Sequence, residues 1–172
     1  KSDGTEVAAV NSETGFFSES AKDYFNGGDK VDGSNVALGG FANLLNPDGR
    51  KVYTETTTTS EVLGELKNHH SIESLGATND DERQELINWT YGQDTKKGLT
   101  SSRFEIGDPL HSEPVIVTYG GTEESPDSSI FFGTNEGFIH GLSTETGEEQ
   151  FAFLPQALHQ TQKTYYEDEI AA

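Results

Sequence analysis

Between Arg103 and Pro155 the chain reads RFEIGDPLHSEPVIVTYGG, a polar interruption, then SSIFFGTNEGFIHGLSTETGEEQFAFLP. Apolar and polar residues alternate there with a period near two, and the runs break at glycines, which is the pattern of short antiparallel strands. Val115, Val117 and Tyr119 share one face of a first strand; Ile130–Phe132 form a second, Phe138–Leu142 a third and Gln150–Phe153 a fourth. Gly133–Gly137 and Ser143–Gly147 are the turns between them. Four such strands cannot bury both of their faces alone. The stretch therefore requires neighbours, and its rhythm predicts one blade of a radial, propeller-like array.

Composition limits what else the chain can build. Only 31% of 172 residues are apolar and 19 are glycine, so the core is thin for the length and long surface loops are expected. A formal charge of −19 with 11 Lys and Arg excludes a surface that tracks nucleic-acid phosphates, and it disfavours anionic membranes. Such acidity suits a solvated surface in a salty or extracellular setting. The absence of Cys excludes disulfides, thiol catalysis and thiolate metal sites. No run reaches the length of a membrane-spanning helix, and the opening KSDGTEV, without Met or signal sequence, reads as the middle of a longer protein.

Upstream of the strands the signals are shorter. Val7 and Val10 are the apolar anchors before a turn at Glu13–Gly15, and the stretch reads as a short hairpin or extended segment. Ser18 is placed to cap a helix carrying Ala21, Tyr24 and Phe25 up to Gly27-Gly28. Asp29, Asp32 and Asn35 offer oxygen ligands, but their spacing does not match a calcium loop and a polar turn is the better reading. VALGGFANLL at Val36–Leu45 reads as a short helix whose Gly39-Gly40 pair implies close backbone packing. After the turn at Asn46–Gly49, a β-branched strand carries Val52 and Tyr53 on opposite faces. The run Thr56–Thr59 reads as exposed, and Leu63, Leu66, Ile72 and Leu75 follow a weak helical pattern. His69-His70 reads as a surface pair, since adjacent side chains diverge and no third ligand has zinc spacing. Asn79 with Glu82 fits a capping box opening the clearest helix, ERQELINWTYG, in which the single Trp89 is a core anchor.

GDPLHSEPVIVTYGG with FFGTNEGFIHGLSTETGEEQFAFLP closely resembles the C-terminal propeller of the PilY family of type IV pilus tip-associated adhesins and biogenesis factors. AVNSETGFF, DGSNVALGGFANLL, RKVYT and LINWTYGQD agree with that family in order along the chain. The resemblance implies a mainly β fold: a partial, quinoprotein-like propeller, with residues 1–102 an insertion-rich segment, 103–155 one four-stranded antiparallel blade and 156–172 a connection toward the next. It implies a non-enzymatic protein at the pilus tip or outer surface of a Gram-negative bacterium that supports pilus extension and adhesion. Its partners would be pilins, minor pilins or other tip components, host or abiotic surfaces, and the remaining blades of its own ring. Calcium acts in the full-length family through a loop of alternating aspartates. No such run occurs between Lys1 and Ala172, so no cofactor or metal role passes to any residue of this chain.

The signature residues Gly107, Asp108, Pro109, His111, Ser112, Gly133, Gly137, His140, Thr146 and Gly147 read as fold-makers. Gly133 and Gly137 permit a tight turn, with a positive φ at Gly137, and Thr146-Gly147 closes the next one. Pro109 and Pro114 confine LHSE to the start of a strand or an edge. Asp108, His111 and Ser112 make a catalytic trio on paper, but working triads are assembled from distant segments, so His111 reads as a hydrogen-bonded structural residue. His140 reads as a satisfied histidine between blades. A second resemblance, of another class, is to quinoprotein dehydrogenases that bind pyrroloquinoline quinone and calcium. Their blades carry Trp where this chain has Phe151, and Trp89 falls in the predicted helix.

Overall fold

The computed structural model describes residues 9–23, 25, 31, 33, 39–56, 62–98, 102–103 and 106–168. Asp29, Asp32, Asn35 and the threonines from 57 to 59 lie outside them. The first described feature is the expected hairpin, an antiparallel bridge between Val10 and Phe17 around Gly15 at φ +74°. The helix anticipated from Ser18 is absent over the described residues. Ser18 instead accepts from the Ser20 N–H through its hydroxyl and from the Ala21 N–H through its carbonyl. Short polar side chains bonding their own backbone compete with helix at this point.

Helix α1, Gly40–Leu44, is shorter than predicted. Gly40 has φ +63°, and nothing lies within 4 Å of the place a Cβ would take. Its glycine thus serves the left-handed backbone, not the close packing read from the sequence. In that conformation the Gly40 N–H reaches Asp23 Oδ2 at 2.9 Å.

Strand β1, Val52–Glu55, pairs antiparallel with β2, Leu63–Glu65. The weak helical pattern across Ser60–His70 therefore becomes a strand and a 3-10 turn, Leu66–Asn68, which buries Leu66 completely. Helix α2, Ile72–Leu75, is closed by reciprocal Ser71 and Ser74 caps and by Gly76 at φ +69°. Helix α3, Asp80–Thr90, begins where predicted, with Asn79 Oδ1 accepting from the Glu82 N–H at 2.9 Å. The Glu82 carboxylate accepts from Thr78 and not from the Asn79 backbone, so only half of the anticipated capping box forms.

Strands β3, Val115–Gly121, β4, Pro126–Gly133, β5, Ile139–Ser143, and β6, Glu149–Phe153, make the antiparallel meander that the alternation predicts. The sheet does not stop there. Its order is β2-β1-β6-β5-β4-β3, with β1 added parallel to β6 so that Val52 faces Ala152. The outer backbone of β6 is satisfied in this way, since the Ala152 N–H donates to Lys51 O at 2.9 Å and the Leu154 N–H to Tyr53 O at 2.8 Å. The mainly β class holds, but the sheet is six-stranded and mixed where a four-stranded blade is predicted. Radial repetition is not seen in the described residues.

One face of this sheet carries the core. Val52, Ala152 and Leu142 lie on it by register, under Leu66, Leu75, Leu86, Ile87 and Tyr91 at one end and Phe41 and Leu45 at the other. Residues 156–168, read from sequence as a connection leading onward, fold as a 3-10 turn, Gln156–Leu158, and helix α4, His159–Asp168. Helix α4 packs against α2 and α3. Lys163 ties the three together, bonding Glu82 at 2.7 Å and Gly76 O at 3.0 Å, and its hydrogen bond, with those from Thr78, brings the Glu82 carboxyl down to about 2. Trp89, 1% exposed, meets Tyr166 edge-on at 5.9 Å, as a core anchor should.

Candidate functional site

Two sequence motifs are joined at one end of the sheet. The loop containing Gly107–Ser112 packs on the turn Gly133–Gly137: the Asn135 N–H donates to Asp108 O at 2.9 Å and the Gly133 N–H to Ser112 Oγ at 2.7 Å. A Cβ on Gly107 would fall 2.7 Å from the Glu136 nitrogen, so glycine is required for this approach. Gly137 has the anticipated positive φ, +91°. Gly133 does not. It ends β4 with ordinary contacts around a notional Cβ, so its part in the turn is less than the sequence reading assigns.

Further bonds hold the same turn from the helical side. Gln162 Nε2 donates to Glu136 O at 2.7 Å, the Tyr165 hydroxyl to Asn135 O at 2.5 Å, and Arg103 pairs with the Glu136 carboxylate at 3.2 Å while stacking over Trp89 at 4.0 Å. The structure does not assemble Asp108, His111 and Ser112 into a relay. His111 is exposed and forms no hydrogen bond with described residues, which corrects its reading as a bonded structural histidine. Pro109 opens the turn that leads to Ser112, whose N–H donates to Pro109 O at 3.1 Å. At the opposite end Thr146 bonds Ser143 Oγ through its N–H, and Gly147, φ +72°, lies directly beneath the Phe25 ring.

His140 belongs to a buried polar group that the sequence does not reveal. Arg50 Nε donates to Glu149 Oε2 at 2.6 Å and Nη2 to Oε1 at 3.1 Å, a bidentate pair, while Nη1 donates to Thr90 O at 3.1 Å. His140 Nδ1 lies 2.8 Å from Glu149 Oε1 and Nε2 lies 3.3 Å from Thr134 Oγ1. Burial, with the Arg50 charge nearby, holds His140 protonation below its ordinary range. Burial alone would push Glu149 up, but the bond from His140 and the Arg50 charge outweigh it and bring the carboxyl down. The consistent state is a neutral imidazole donating from Nδ1 to a carboxylate paired with guanidinium, and accepting at Nε2 from Thr134. Phe41, Phe132 and Phe138 surround the ring at centroid distances of 5.2 to 5.6 Å. His140 is thus satisfied between its own sheet and α1, within one fold and not between blades. At 1% exposure it has no surface to offer a ligand.

A second buried histidine, His159 of α4, sits 2.9 Å from Thr54 Oγ1 and carries α4 onto β1. Nothing in the sequence around it distinguishes it from a surface position. His69 and His70 are half-buried, correcting their reading as a surface pair: His69 covers Gly64, and His70 Nδ1 lies 3.3 Å from Arg83.

What the molecule presents outward is the other face of the sheet. Tyr53, Phe151 and Phe131 form a strip across β1, β6 and β4, with ring centroids 6.4 and 6.0 Å apart. The strip crosses Gly141, where a Cβ would stand 2.9 Å from the Phe151 ring. Phe153 lies beside it, and Ile139, Val115 and Val117 continue the apolar surface at 44%, 56% and 37% exposure. No charged side chain of β3, β4 or β5 interrupts it apart from Asp127 at its rim. Contiguous apolar surface of this kind marks a contact site.

Type IV pilus biogenesis factor PilY1 of Pseudomonas aeruginosa (strain UCBPP-PA14) is 27% identical to this chain over 92 aligned residues. The match covers 42% of this chain and 8% of that protein, so the chain spans a small part of its relative's length. No protein-family profile and no solved structure matches the chain. The similarity supports a PilY-like relationship. Among the described residues no helix is long and apolar enough to cross a membrane.

Proposed function

We propose that this chain is a non-enzymatic β-module of a type IV pilus-associated surface protein, working in pilus assembly and extension and in attachment. The observation that carries the reading is the open aromatic face of the sheet, Tyr53–Phe151–Phe131, in a chain similar to a pilus biogenesis factor. In the reading, that face packs against a further sheet of the parent protein, as blade packs on blade, and the loops at the ends of the strands meet pilins, minor pilins or an external surface. The rigid, multiply bonded turn at Gly133–Gly137 and the buried Arg50–Glu149–His140 group hold those loops in fixed relation. The place of action is the pilus tip or the outer cell surface. Calcium is assigned to no residue here.

The test is genetic and physical. Deleting the coding segment from the parent protein is expected to reduce surface pili, counted by electron microscopy, and attachment to an inert surface. Phe151→Asp, which charges the open face, is expected to reproduce the loss. Normal piliation and attachment with either change would overturn the proposal. Purified parent protein that acquires a bound chromophore on adding pyrroloquinoline quinone and calcium, and then oxidises alcohols, would replace it with a quinoprotein reading.

A further inference from the structure

We propose that the free edge of β3 takes up one extended segment of a partner protein, apolar at alternate positions and basic at both ends, as a seventh strand. The proposal stands on the sheet edge and does not depend on the pilus reading.

Among the described residues β3 is the last strand of the sheet, and β4 is its one neighbour. All seven of its residues are exposed, with Ile116 and Tyr119 each at 63%. Its outer row of backbone donors and acceptors consequently faces solvent, which is a template for strand pairing. Edges are ordinarily protected by charge, by proline or by a covering element. Within Val115–Gly121 there is no charged residue and no proline. The one irregularity is the register shift between Thr118 and Gly120. It leaves Val115–Thr118 as the regular, pairing part of the edge.

Charge decides which strand fits. Glu113 precedes β3, and Glu123 and Glu124 follow it, all exposed. From residue 104 to residue 162 the sequence has no Lys or Arg at all, so no basic side chain of the meander neutralises these acids. A second copy pairing antiparallel through β3 would set Glu113 of one chain beside Glu123 and Glu124 of the other. In parallel pairing each acid would meet its own counterpart. Both arrangements are repelled, whereas a foreign strand with Lys or Arg at each end finds a complementary charge at both, and its alternate apolar residues continue the row of Val115 and Val117.

The probe is a labelled peptide, Lys-Lys-Thr-Val-Thr-Val-Thr-Val-Lys-Lys, titrated with the whole chain by fluorescence anisotropy beside a counterpart with Glu in place of Lys. The Lys-flanked peptide is expected to bind about tenfold more tightly than the Glu-flanked one, and more weakly as salt is raised. Ile116→Lys, at a mostly exposed position, is expected to abolish binding with an unchanged melting curve. The double change Glu123→Lys with Glu124→Lys is expected to reduce the preference between the peptides. Absence of binding, equal binding of both peptides, or full binding by Ile116→Lys would overturn the proposal. So would a concentration-dependent dimer at low salt, seen in sedimentation and dissolved by Ile116→Lys, because the edge would then belong to a second copy.

Discussion

On one face of the sheet Val52, Ala152 and Leu142 lie under helices at 0, 0 and 7% exposure, whereas on the other Ile139 and Val115 stand at 44 and 56%. The two faces are built from the same strands and carry comparable apolar side chains. What separates them is polar anchoring. The covered face holds Arg50, Glu149 and His140, each bonded to the others or to Thr90 and Thr134, and these bonds fix where the helices and α1 sit. The open face holds aromatic rings around Gly141 and few polar partners, the chief exception being Ser129 with Gln150 at 2.6 Å. A buried, bonded polar group specifies its partners closely; an apolar strip accepts any surface of suitable shape.

Breaking the covered face should have the largest effect. Glu149→Ala leaves the Arg50 guanidinium buried without its bidentate partner, and the expected loss is about 3–5 kcal/mol in urea unfolding. A loss under about 1 kcal/mol would show that water reaches Arg50 and that the group is not the anchor described. Phe138→Ala removes a ring 1% exposed beneath Arg50, and it should cost about 3–5 kcal/mol by the same measurement. Gly141→Ala tests the open face at its tightest point. The added methyl meets the Phe151 ring, so a loss of about 1–3 kcal/mol is expected, reduced if the ring swings outward.

Acid should act on the covered face selectively. Burial lowers the protonation range of His140, His159 and His70 from the ordinary 6.5, so the unfolded chain binds protons that the folded chain refuses. Their contribution is fully present above pH 6.5 and is lost as pH falls below it, at up to about 1.4 kcal/mol per pH unit for each group. Glu149, lowered from 4.5, adds a second loss as pH drops below that value. Melting temperature measured from pH 7.5 to 5 should decline, and His159→Gln should flatten the decline. An unchanged slope in that variant would place its proton binding elsewhere. The smallest effects belong to the open side: Ile139→Thr and His111→Ala should each change stability by less than about 0.5 kcal/mol, and a larger loss at His111 would restore the bonded role that its sequence context suggests.

The sequence made the meander legible because alternation and glycine turns are local signals. Val115 to Phe153 needed no distant partner to be read as strands, and Asn79 with the acids after it announced α3 in the same way. β2 was hidden because its three residues, Leu63–Glu65, are too few to show a period and become a strand only by pairing with β1. The Ser18 helix failed because capping residues fit turns equally well. Of the signature positions, Gly137 and Gly147 have the positive φ of turn glycines, while the close approach of Gly107 to Glu136 gave no sequence signal. Arg50, Glu149 and His159 gave no warning, since each acquires its meaning from a residue roughly a hundred positions away.

That separation has a consequence for how the sheet is made. β3 to β6 form neighbour by neighbour along the chain, but β1 joins β6 only after the intervening segment is complete, and Arg50 waits 99 residues for Glu149. At ribosomal rates of about 5–20 residues per second, that delay is on the order of 5–20 s. During it β1 lacks the partner that β6 later supplies, and the chain is most open to mispairing. The slow, high-contact-order step of folding is therefore the closure of β1 onto β6. A chain released before β6 is made would keep β1 and β2 but leave β1 without its parallel partner and the meander incomplete.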